Sequence, residues 1–220
     1  MLRKSLYGLK QSPRQWYRKF DSFIIVQGFK RSAFDSCAYF KHMPNETSIY
    51  LLLYVDDMLI SAIEIQNLKL RLRSMFEMKE LGEARKILGI EISRDKQKRQ
   101  LALSQKSSLD KIVEKFNMID AKEVSVPFTQ HFKISHEQSP NDELSMREMS
   151  RIPYSNAVGS LMYSIVCTRP DLAHAMNVSS KFMTNPGQAH WNAVKWIFRY
   201  VKGTLDMSLV YGGAKLEEES

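Results

Sequence analysis

Two adjacent acidic residues, Asp56 and Asp57, have the type and the setting to do chemistry. They lie between two apolar runs, residues 49–54 and 58–61, each about as long as a β-strand. This arrangement predicts a β-hairpin with the acidic pair in its tight turn. Two charges beside a buried hairpin need a cation, and Mg²⁺ is usually held by one or two carboxylates together with substrate phosphates. The pair therefore points to phosphoryl or nucleotidyl transfer.

A plain turn is the alternative interpretation of the acidic pair. Asp is common in turns because its side chain hydrogen-bonds to nearby backbone and tolerates unusual backbone angles. The run 51–54 is apolar throughout instead of alternating, which predicts a strand buried on both faces. A buried hairpin that still places two acids at its tip favours a site over a plain turn.

Positive charge is concentrated near the start of the chain. The 220 residues carry a net charge of +8, and residues 1–50 hold nine Lys or Arg against three acids. A basic segment next to an acidic pair suits a polyanion bound at a metal centre. A solvated basic face is the alternative.

Cysteine spacing and the lengths of the apolar runs limit the class of protein and the compartment that can be expected. Cys37 and Cys167 are 130 residues apart, a spacing typical of neither a zinc site nor a disulfide framework, so a reducing intracellular compartment is expected. No apolar run approaches the ~20 residues of a membrane span, and no secretory signal is visible. The abrupt start of the chain is interpreted as a truncation.

Periodicity and turn residues predict the order of elements. Ser12 as N-cap and Pro13 at the first helical position predict a helix that ends at Gly28, with Trp16 and Phe20 on its apolar face. The further predicted elements are a hairpin over 49–63, a helix through 68–76, one strand over 86–94, a charged turn at 95–99, a return strand over 100–104, a helix through 109–116, helices over 154–166, 170–183 and 189–202, and a strand starting near 207.

Four blocks, taken together, resemble a known family. They are Leu6-Tyr-Gly-Leu-Lys-Gln-Ser-Pro13, Tyr54-Val-Asp-Asp57, Leu88-Gly-Ile-Glu-Ile92, and Thr168-Arg-Pro-Asp171 followed by His190-Trp191. In this order the chain resembles the reverse transcriptase region of copia-type LTR-retrotransposon Pol polyproteins over about residues 2–211. The four-letter acidic box is weak by itself, whereas its combination with the first block is specific.

The resemblance implies an α+β fold, with a partial right-hand polymerase palm followed by a helical thumb- or connection-like segment. The palm is expected to be an antiparallel sheet packed on helices. The expected divisions are a palm over 1–104, a thumb-like helix over 105–119, a linker over 120–152, a helical connection over 153–211 that leads toward an RNase H domain, and a disordered tail over 212–220.

The resemblance also implies roles for individual residues in a polymerase that uses two Mg²⁺ or Mn²⁺ ions on a template-primer and a deoxynucleoside triphosphate. Asp56 and Asp57 would be catalytic metal ligands. Nucleotide or template contacts would come from Tyr7, Gly8, Lys10, Ser12 and Arg14. Primer contacts would come from Tyr54, Leu88 and Gly89. For Lys10 and Arg14, surface solvation is the alternative.

Two departures from the family pattern shape the expected activity. The family carries a third catalytic carboxylate upstream of the first block and RNase H acids downstream, and neither has a counterpart in this sequence. The 220-residue chain is therefore expected not to polymerise alone. The alternatives are a non-catalytic nucleic-acid-binding remnant and a poorly folded product whose hairpin has an exposed edge. By family analogy, the compartment would be a cytoplasmic particle or the nucleus.

Overall fold

The computed structural model describes residues 10–44, 47–55, 57–61, 65–129 and 131–212. The chain divides into two compact units, Met1–Gly82 and Glu83–Ser220. Each unit has its own antiparallel sheet and its own hydrophobic core. The expected combination of antiparallel sheets with helices is therefore present.

The first unit is a four-stranded sheet with two helices. Its elements are α1 (Ser12–Val26), β1 (Lys30–Arg31), β2 (Ala38–His42), β3 (Ser48–Tyr54), β4 (Asp57–Ser61) and α2 (Gln66–Met75). The strands follow chain order across the sheet, and every neighbouring pair is antiparallel. Among the described residues, β4 is therefore an edge strand, as expected for the hairpin.

The core of this unit lies on one face of the sheet. Phe20 and Ile24 of α1 are fully buried in one cluster with Leu51 of β3 and Leu72 of α2. The ring of Phe20 stacks on Trp16 at 5.5 Å, which adds an aromatic contact to the buried area. The predicted apolar face of the first helix is confirmed.

The expectation that residues 51–54 are buried on both faces is wrong. Burial alternates along β3, with Leu51 and Leu53 buried while Leu52 and Tyr54 are 49% and 56% exposed. The reason is that, within the described residues, α1 and α2 contribute to a core on one face of the sheet only. An apolar run shows that a strand is hydrophobic but not which of its faces is covered.

The start of α1 also differs from the prediction by one residue. Gln11 is the N-cap and Ser12 is the first helical residue, with Pro13 in the first turn. Because the predicted cap and the real one are adjacent, the helix itself is as expected and ends just before Gly28.

The second unit combines a sheet with five α-helices among its described residues. Its elements are β5 (Lys86–Ile87), β6 (Ile90–Asp95), β7 (Gln100–Ser104), α3 (Lys106–Lys115), α4 (Glu143–Ser150), α5 (Tyr154–Cys167), α6 (Ala173–Ser180), α7 (Gln188–Gly203) and β8 (Leu209–Gly212), with 3₁₀ turns at His136–Gln138 and Pro170–Leu172. The sheet order is β5-β6-β7-β8. The three predicted C-terminal helices and the strand after them are confirmed.

The core of the second unit is helical. Leu161 of α5, Met176 of α6 and Ile197 of α7 are buried in one cluster with Leu109 of α3. The buried residues of α7 recur at intervals of three and four positions, which is the spacing of residues on one face of a helix. This core includes α3, the helix that directly follows β7.

The predicted single strand over 86–94 is two strands. Leu88 and Gly89 have φ values of +50° and +79° and form the two-residue turn of a hairpin between β5 and β6. Positive φ at both central positions is the geometry of a type I′ turn, which suits the twist of hairpin strands. The sequence concealed this turn because Leu88 is not a turn-forming residue.

The range 120–152, expected to be a linker, contains structure. It includes a 3₁₀ turn and α4, whose N-cap Asp142 accepts a 2.8 Å hydrogen bond from the backbone N–H of Ser145. Side chains of α7 bind the preceding backbone: Trp196 Nε1 donates to the Val126 carbonyl at 3.0 Å, and Lys202 Nζ donates to the Ala121 carbonyl at 2.9 Å. These long-range bonds order a segment that has no periodicity of its own.

A hydrogen-bond network around the Arg169–Asp171 ion pair joins the 3₁₀ turn before α6 to the end of α7. Arg169 is 1% exposed and binds both carboxylate oxygens of Asp171, at 3.0 and 2.8 Å. It also donates to the carbonyl and the hydroxyl of Thr204. Tyr200 donates to the same Asp171 carboxylate at 2.8 Å, so the buried guanidinium has both its charge and its N–H groups satisfied.

Among the described residues, no helix is long and apolar enough to cross a membrane. The predicted disordered tail covers 212–220, but Gly212 is the last residue of β8, and residues 213–220 lie outside the described residues.

Candidate functional site

The acidic box lies at the β3–β4 hairpin. Tyr54 is paired with Asp57 across the ladder, so the hairpin turn lies between these two residues and Val55 is its described residue. Asp57 is the first residue of β4, which corrects the expectation that both acids occupy the turn. Asp56 lies outside the described residues.

The turn is strained at Val55. Its φ is +52°, in the left-handed region, which a β-branched residue rarely adopts. Such a backbone costs on the order of 1–3 kcal/mol and persists only where its surroundings impose it. The ladder on both sides of the turn supplies that constraint, because Leu53 pairs with Met58 directly behind it.

Asp57 and Tyr54 present their side chains on the uncovered face of the sheet. Directly paired residues on antiparallel strands point to the same face, and alternation then places Leu52 and Leu59 beside them. Asp57 is exposed, and within the described residues its carboxylate makes no hydrogen bond or ion pair. An exposed carboxylate at a hairpin tip is a suitable oxygen donor for Mg²⁺ or Mn²⁺.

Contacts along α1 fix how this helix lies on the sheet. Near its C-terminus, Lys41 Nζ donates to the Gln27 carbonyl at 2.7 Å, and Lys41 pairs with Ile49 at the start of β3. Further toward the N-terminus, the Tyr17 hydroxyl donates to the Ser36 carbonyl at 2.9 Å. The next residue, Cys37, accepts from Leu53 N, close to the hairpin turn.

The N-terminus of α1 therefore lies toward the same end of the sheet as Tyr54 and Asp57. Lys10 and Arg14 are exposed at that end of the helix, and Ser12 is its first residue. The structure thus brings these three predicted nucleotide or template residues to the hairpin end of the first unit. Tyr7 and Gly8 lie outside the described residues.

A buried polar group that the sequence did not reveal joins α1 to β2. The Tyr39 hydroxyl donates to Asp21 at 2.8 Å and lies 3.1 Å from the Tyr17 hydroxyl. Burial, together with the hydrogen bonds to Tyr17 and Asp21, raises the pKa of Tyr39 far above its usual value. This group holds α1 at the position that directs its N-terminus toward the hairpin, and no local pattern in the sequence indicates it.

The two predicted primer residues in the second unit, Leu88 and Gly89, form the β5–β6 turn described above. The turn is fixed from two helices: Ser108 Oγ of α3 donates to the Gly89 carbonyl at 3.0 Å, and the Tyr163 hydroxyl of α5 donates to the Leu88 carbonyl at 2.7 Å. The Leu88 side chain remains 39% exposed. The turn therefore has a backbone that is fixed by hydrogen bonds and an apolar side chain that is partly exposed to solvent.

No group of three or more His, Cys, Asp or Glu side chains in the described part of the chain is arranged to hold a metal ion. Asp56 and Asp57 offer two carboxylates on adjacent residues. Two carboxylates fit the hard, oxygen-preferring divalent cations.

Comparison with known proteins gives a consistent result. The profile of the family described as "Reverse transcriptase (RNA-dependent DNA polymerase)" matches residues 1–130. The chain is 50% identical over 216 residues to a retrovirus-related Pol polyprotein from transposon TNT 1-94 of Nicotiana tabacum. It is 36% and 35% identical to those from transposons RE2 and RE1 of Arabidopsis thaliana. No solved structure matches the chain significantly.

The matches cover nearly all of this chain but little of its relatives. They include 97% of the chain for the tobacco protein, and 93% and 92% for the two Arabidopsis proteins. The chain spans only 16%, 14% and 13% of those Pol polyproteins. The resemblance inferred from the four blocks is confirmed, and the chain belongs to the reverse transcriptase family, in the copia-type Pol polyprotein group.

Proposed function

We propose that this chain contributes the metal-binding carboxylates of an RNA-directed DNA polymerase. The observation that carries the proposal is the direct pairing of Tyr54 with Asp57 on the open face of the first sheet. Because that face is uncovered in the described unit, a nucleic acid strand can approach the carboxylate without displacing a packed helix. The substrates proposed are an RNA or DNA template-primer and a deoxynucleoside triphosphate.

Asp56 and Asp57 would hold Mg²⁺ or Mn²⁺. When bound, a pair of such ions lowers the pKa of the attacking primer hydroxyl and stabilises the departing pyrophosphate. The role of the chain is to fix the two carboxylates on adjacent residues of a rigid hairpin. The ladder of β3 and β4 supports that position, since five residue pairs join the strands up to the turn.

The incoming nucleotide is assigned to the N-terminal end of α1. Lys10 and Arg14 would contact phosphates, while Tyr7, Gly8 and Ser12 would line the approach of the sugar and backbone. The exposure of Lys10 and Arg14 and the direction of α1 toward the hairpin end support this assignment. A positively charged helix end near two metal ions would compensate the charge of the triphosphate.

The primer is assigned to Tyr54 and to the Leu88–Gly89 turn. Tyr54 is 56% exposed beside Asp57, which leaves its ring free to support the primer terminus. The Leu88–Gly89 turn is rigid because Ser108 and Tyr163 hold both of its carbonyls. In this proposal, residues 1–104 form part of a palm, 105–119 a thumb-like helix and 153–211 a connection segment.

The test is to exchange segments between relatives. This chain replaces the matching segment of the tobacco Pol polyprotein, and incorporation of one nucleotide is measured in a single turnover. Asp57→Asn should lower the rate by ~10³-fold, because a lost charge at such a site costs several kcal/mol of transition-state stabilisation. Asp120→Asn, at an exposed position of the second unit, is the matched control and should retain the rate.

Equal rates for the Asp57→Asn and Asp120→Asn chimeras would overturn the proposal. The inactivity of the isolated 220-residue polypeptide stays a prediction, and primer extension with that polypeptide tests it. Binding that weakens steeply with salt, in the absence of any incorporation by the chimera, would favour the alternative of a nucleic-acid-binding remnant.

A further inference from the structure

A compact basic feature outside the proposed catalytic residues lies at the tip of the β6–β7 hairpin. Residues 94–99 carry four Lys or Arg and one Asp, a net charge of +3 within six residues. Lys96, Lys98 and Arg99 are all exposed. We call these three residues the basic tip.

The tip has a defined backbone. Asp95 Oδ1 accepts a 2.9 Å hydrogen bond from the backbone N–H of Lys98, and Arg99 adopts a φ of +53°. The ladder beneath it is regular, with Asp95 paired to Gln100. The backbone therefore presents these three side chains from adjoining positions at the end of a sheet.

Little in the described structure neutralises the tip. Arg94 is already bound, because its Nη1 donates to the Ala84 carbonyl at 2.6 Å and its Nε lies 3.9 Å from Glu83. Lys98 makes only a 3.9 Å pair with Asp95, and its side chain is 72% exposed, so solvent weakens that pair. Within the described residues, Lys96 and Arg99 make no ion pair.

An exposed aromatic ring accompanies the tip. Tyr211 of β8 is paired with Leu101, and the next residue, Gly212, is paired with Gln100, which directly follows Arg99 of the basic tip. Tyr211 is 51% exposed. Exposed cations next to an aromatic ring are the combination that binds a single nucleic acid strand, through phosphate contacts and base stacking.

We propose that the basic tip and Tyr211 form a binding site for single-stranded nucleic acid, separate from Asp56 and Asp57. Lys96, Lys98 and Arg99 contact successive phosphates, and an unpaired base stacks on Tyr211. The inference rests on the proposed function in one respect: the strand bound at this site is taken to be the single-stranded part of the polymerase template. Aromatic stacking is the reason for preferring a nucleic acid over an anionic lipid surface.

The test measures binding of the full 220-residue chain to a fluorescent single-stranded RNA as salt is varied. The tip variant is Lys96→Gln, Lys98→Gln and Arg99→Asn, where Asn suits the positive φ at that position. The control variant Arg147→Gln, Arg151→Gln and Lys181→Gln removes the same charge from exposed positions elsewhere in the second unit. A thermal melt of each variant verifies folding.

The tip variant should bind roughly tenfold or more weakly at low salt. Its plot of log affinity against log salt should be shallower by about two units, at ~0.7 per lost phosphate contact on a single strand. The charge-matched control should change both quantities much less. Lys96→Arg with Lys98→Arg keeps the charge and should bind as the unmodified chain does. Tyr211→Leu should lower RNA affinity about tenfold while leaving the salt slope unchanged.

Equal losses in the tip variant and the charge-matched control would overturn the inference, because net charge alone would then explain binding. Absence of RNA binding by the unmodified chain would also overturn it. So would a tip variant that loses binding to phosphatidylserine vesicles but keeps RNA affinity. None of these outcomes affects the chimera's incorporation rate, which tests the polymerase proposal separately.

Discussion

Tyr54 and Asp57 are paired at the turn of the β3–β4 hairpin, and their side chains point to the same, uncovered face of the sheet. This pairing places an aromatic ring and a metal-suited carboxylate side by side. It also forces Val55 into a backbone conformation that a β-branched residue avoids. The hairpin therefore combines an accessible carboxylate with local strain.

Relief of that strain should stabilise the protein. Val55→Asn replaces a β-branched side chain with one that tolerates a φ of +52°, so we expect the free energy of unfolding to rise by about 1 kcal/mol. Urea unfolding measures the change. Val166→Asn, at an exposed helical position, is the control and should give no gain. Destabilisation by Val55→Asn would contradict the strain at this turn.

The Leu88–Gly89 turn should resist a side chain at its second position. Gly89→Ala meets two costs: a φ of +79° and a Cβ placed 3.0 Å from Ser108 Oγ. We expect it to destabilise the chain by about 2 kcal/mol. Gly82→Ala has a similar φ of +76° but nothing within 4 Å of the added Cβ, so it should cost about 1 kcal/mol.

The difference between these two glycine variants isolates the contact with Ser108. Adding Ser108→Ala should reduce the cost of Gly89→Ala toward that of Gly82→Ala, because the crowded oxygen is removed. Unfolding free energies of the single and double variants give the coupling. Equal costs at Gly82 and Gly89 would show that Ser108 does not crowd the turn.

A structural feature of this protein could be predicted from the sequence where residues close together in the chain determine it. The β3–β4 hairpin and the apolar face of α1 were predictable, since turn residues and periodicity mark them directly. The exposure of Leu52 was not, because burial depends on which elements pack against each face of a strand. The turn at Leu88 was missed for a related reason: its carbonyl groups are bound by Ser108 and Tyr163, which lie in helices that follow later in the chain.

The buried ion pair of the second unit should require the planar guanidinium of Arg169. Arg169→Lys keeps the charge but cannot bind both oxygens of Asp171 and the Thr204 carbonyl together. We expect a loss of about 3 kcal/mol, since partners of a buried charge are left unsatisfied. Arg151→Lys, at an exposed position, should be neutral. Calorimetric melts of both variants make the comparison, and a neutral Arg169→Lys would contradict this role.

The stability of the second unit should depend on pH through His190. Burial lowers the pKa of His190, whose Nδ1 accepts from Gly187 N at 2.7 Å while its ring stacks on Phe182 at 4.0 Å. The unfolded chain binds a proton near pH 6.5 that the folded chain resists, so stability is complete above that pH and falls as pH drops below it.

Replacement of the ring should remove this pH dependence. His190→Gln should flatten the fall in melting temperature between neutral and mildly acidic pH, although it lowers stability at neutral pH. His174→Gln, at an exposed position of the same unit, should leave the pH dependence intact. If the His190→Gln variant loses stability with falling pH as steeply as the unmodified chain, other groups cause the effect.

The most direct test of the account is whether a divalent metal binds at the hairpin. In NMR spectra of the isotope-labelled 220-residue chain, Mn²⁺ should broaden the backbone amide signals of Tyr54, Val55 and Asp57 before those around Asp95. Asp57→Asn should weaken this broadening, and Asp95→Asn should not. Broadening that persists unchanged in Asp57→Asn, or hairpin signals that millimolar Mn²⁺ leaves sharp, would contradict the assignment of Asp57 as a metal ligand.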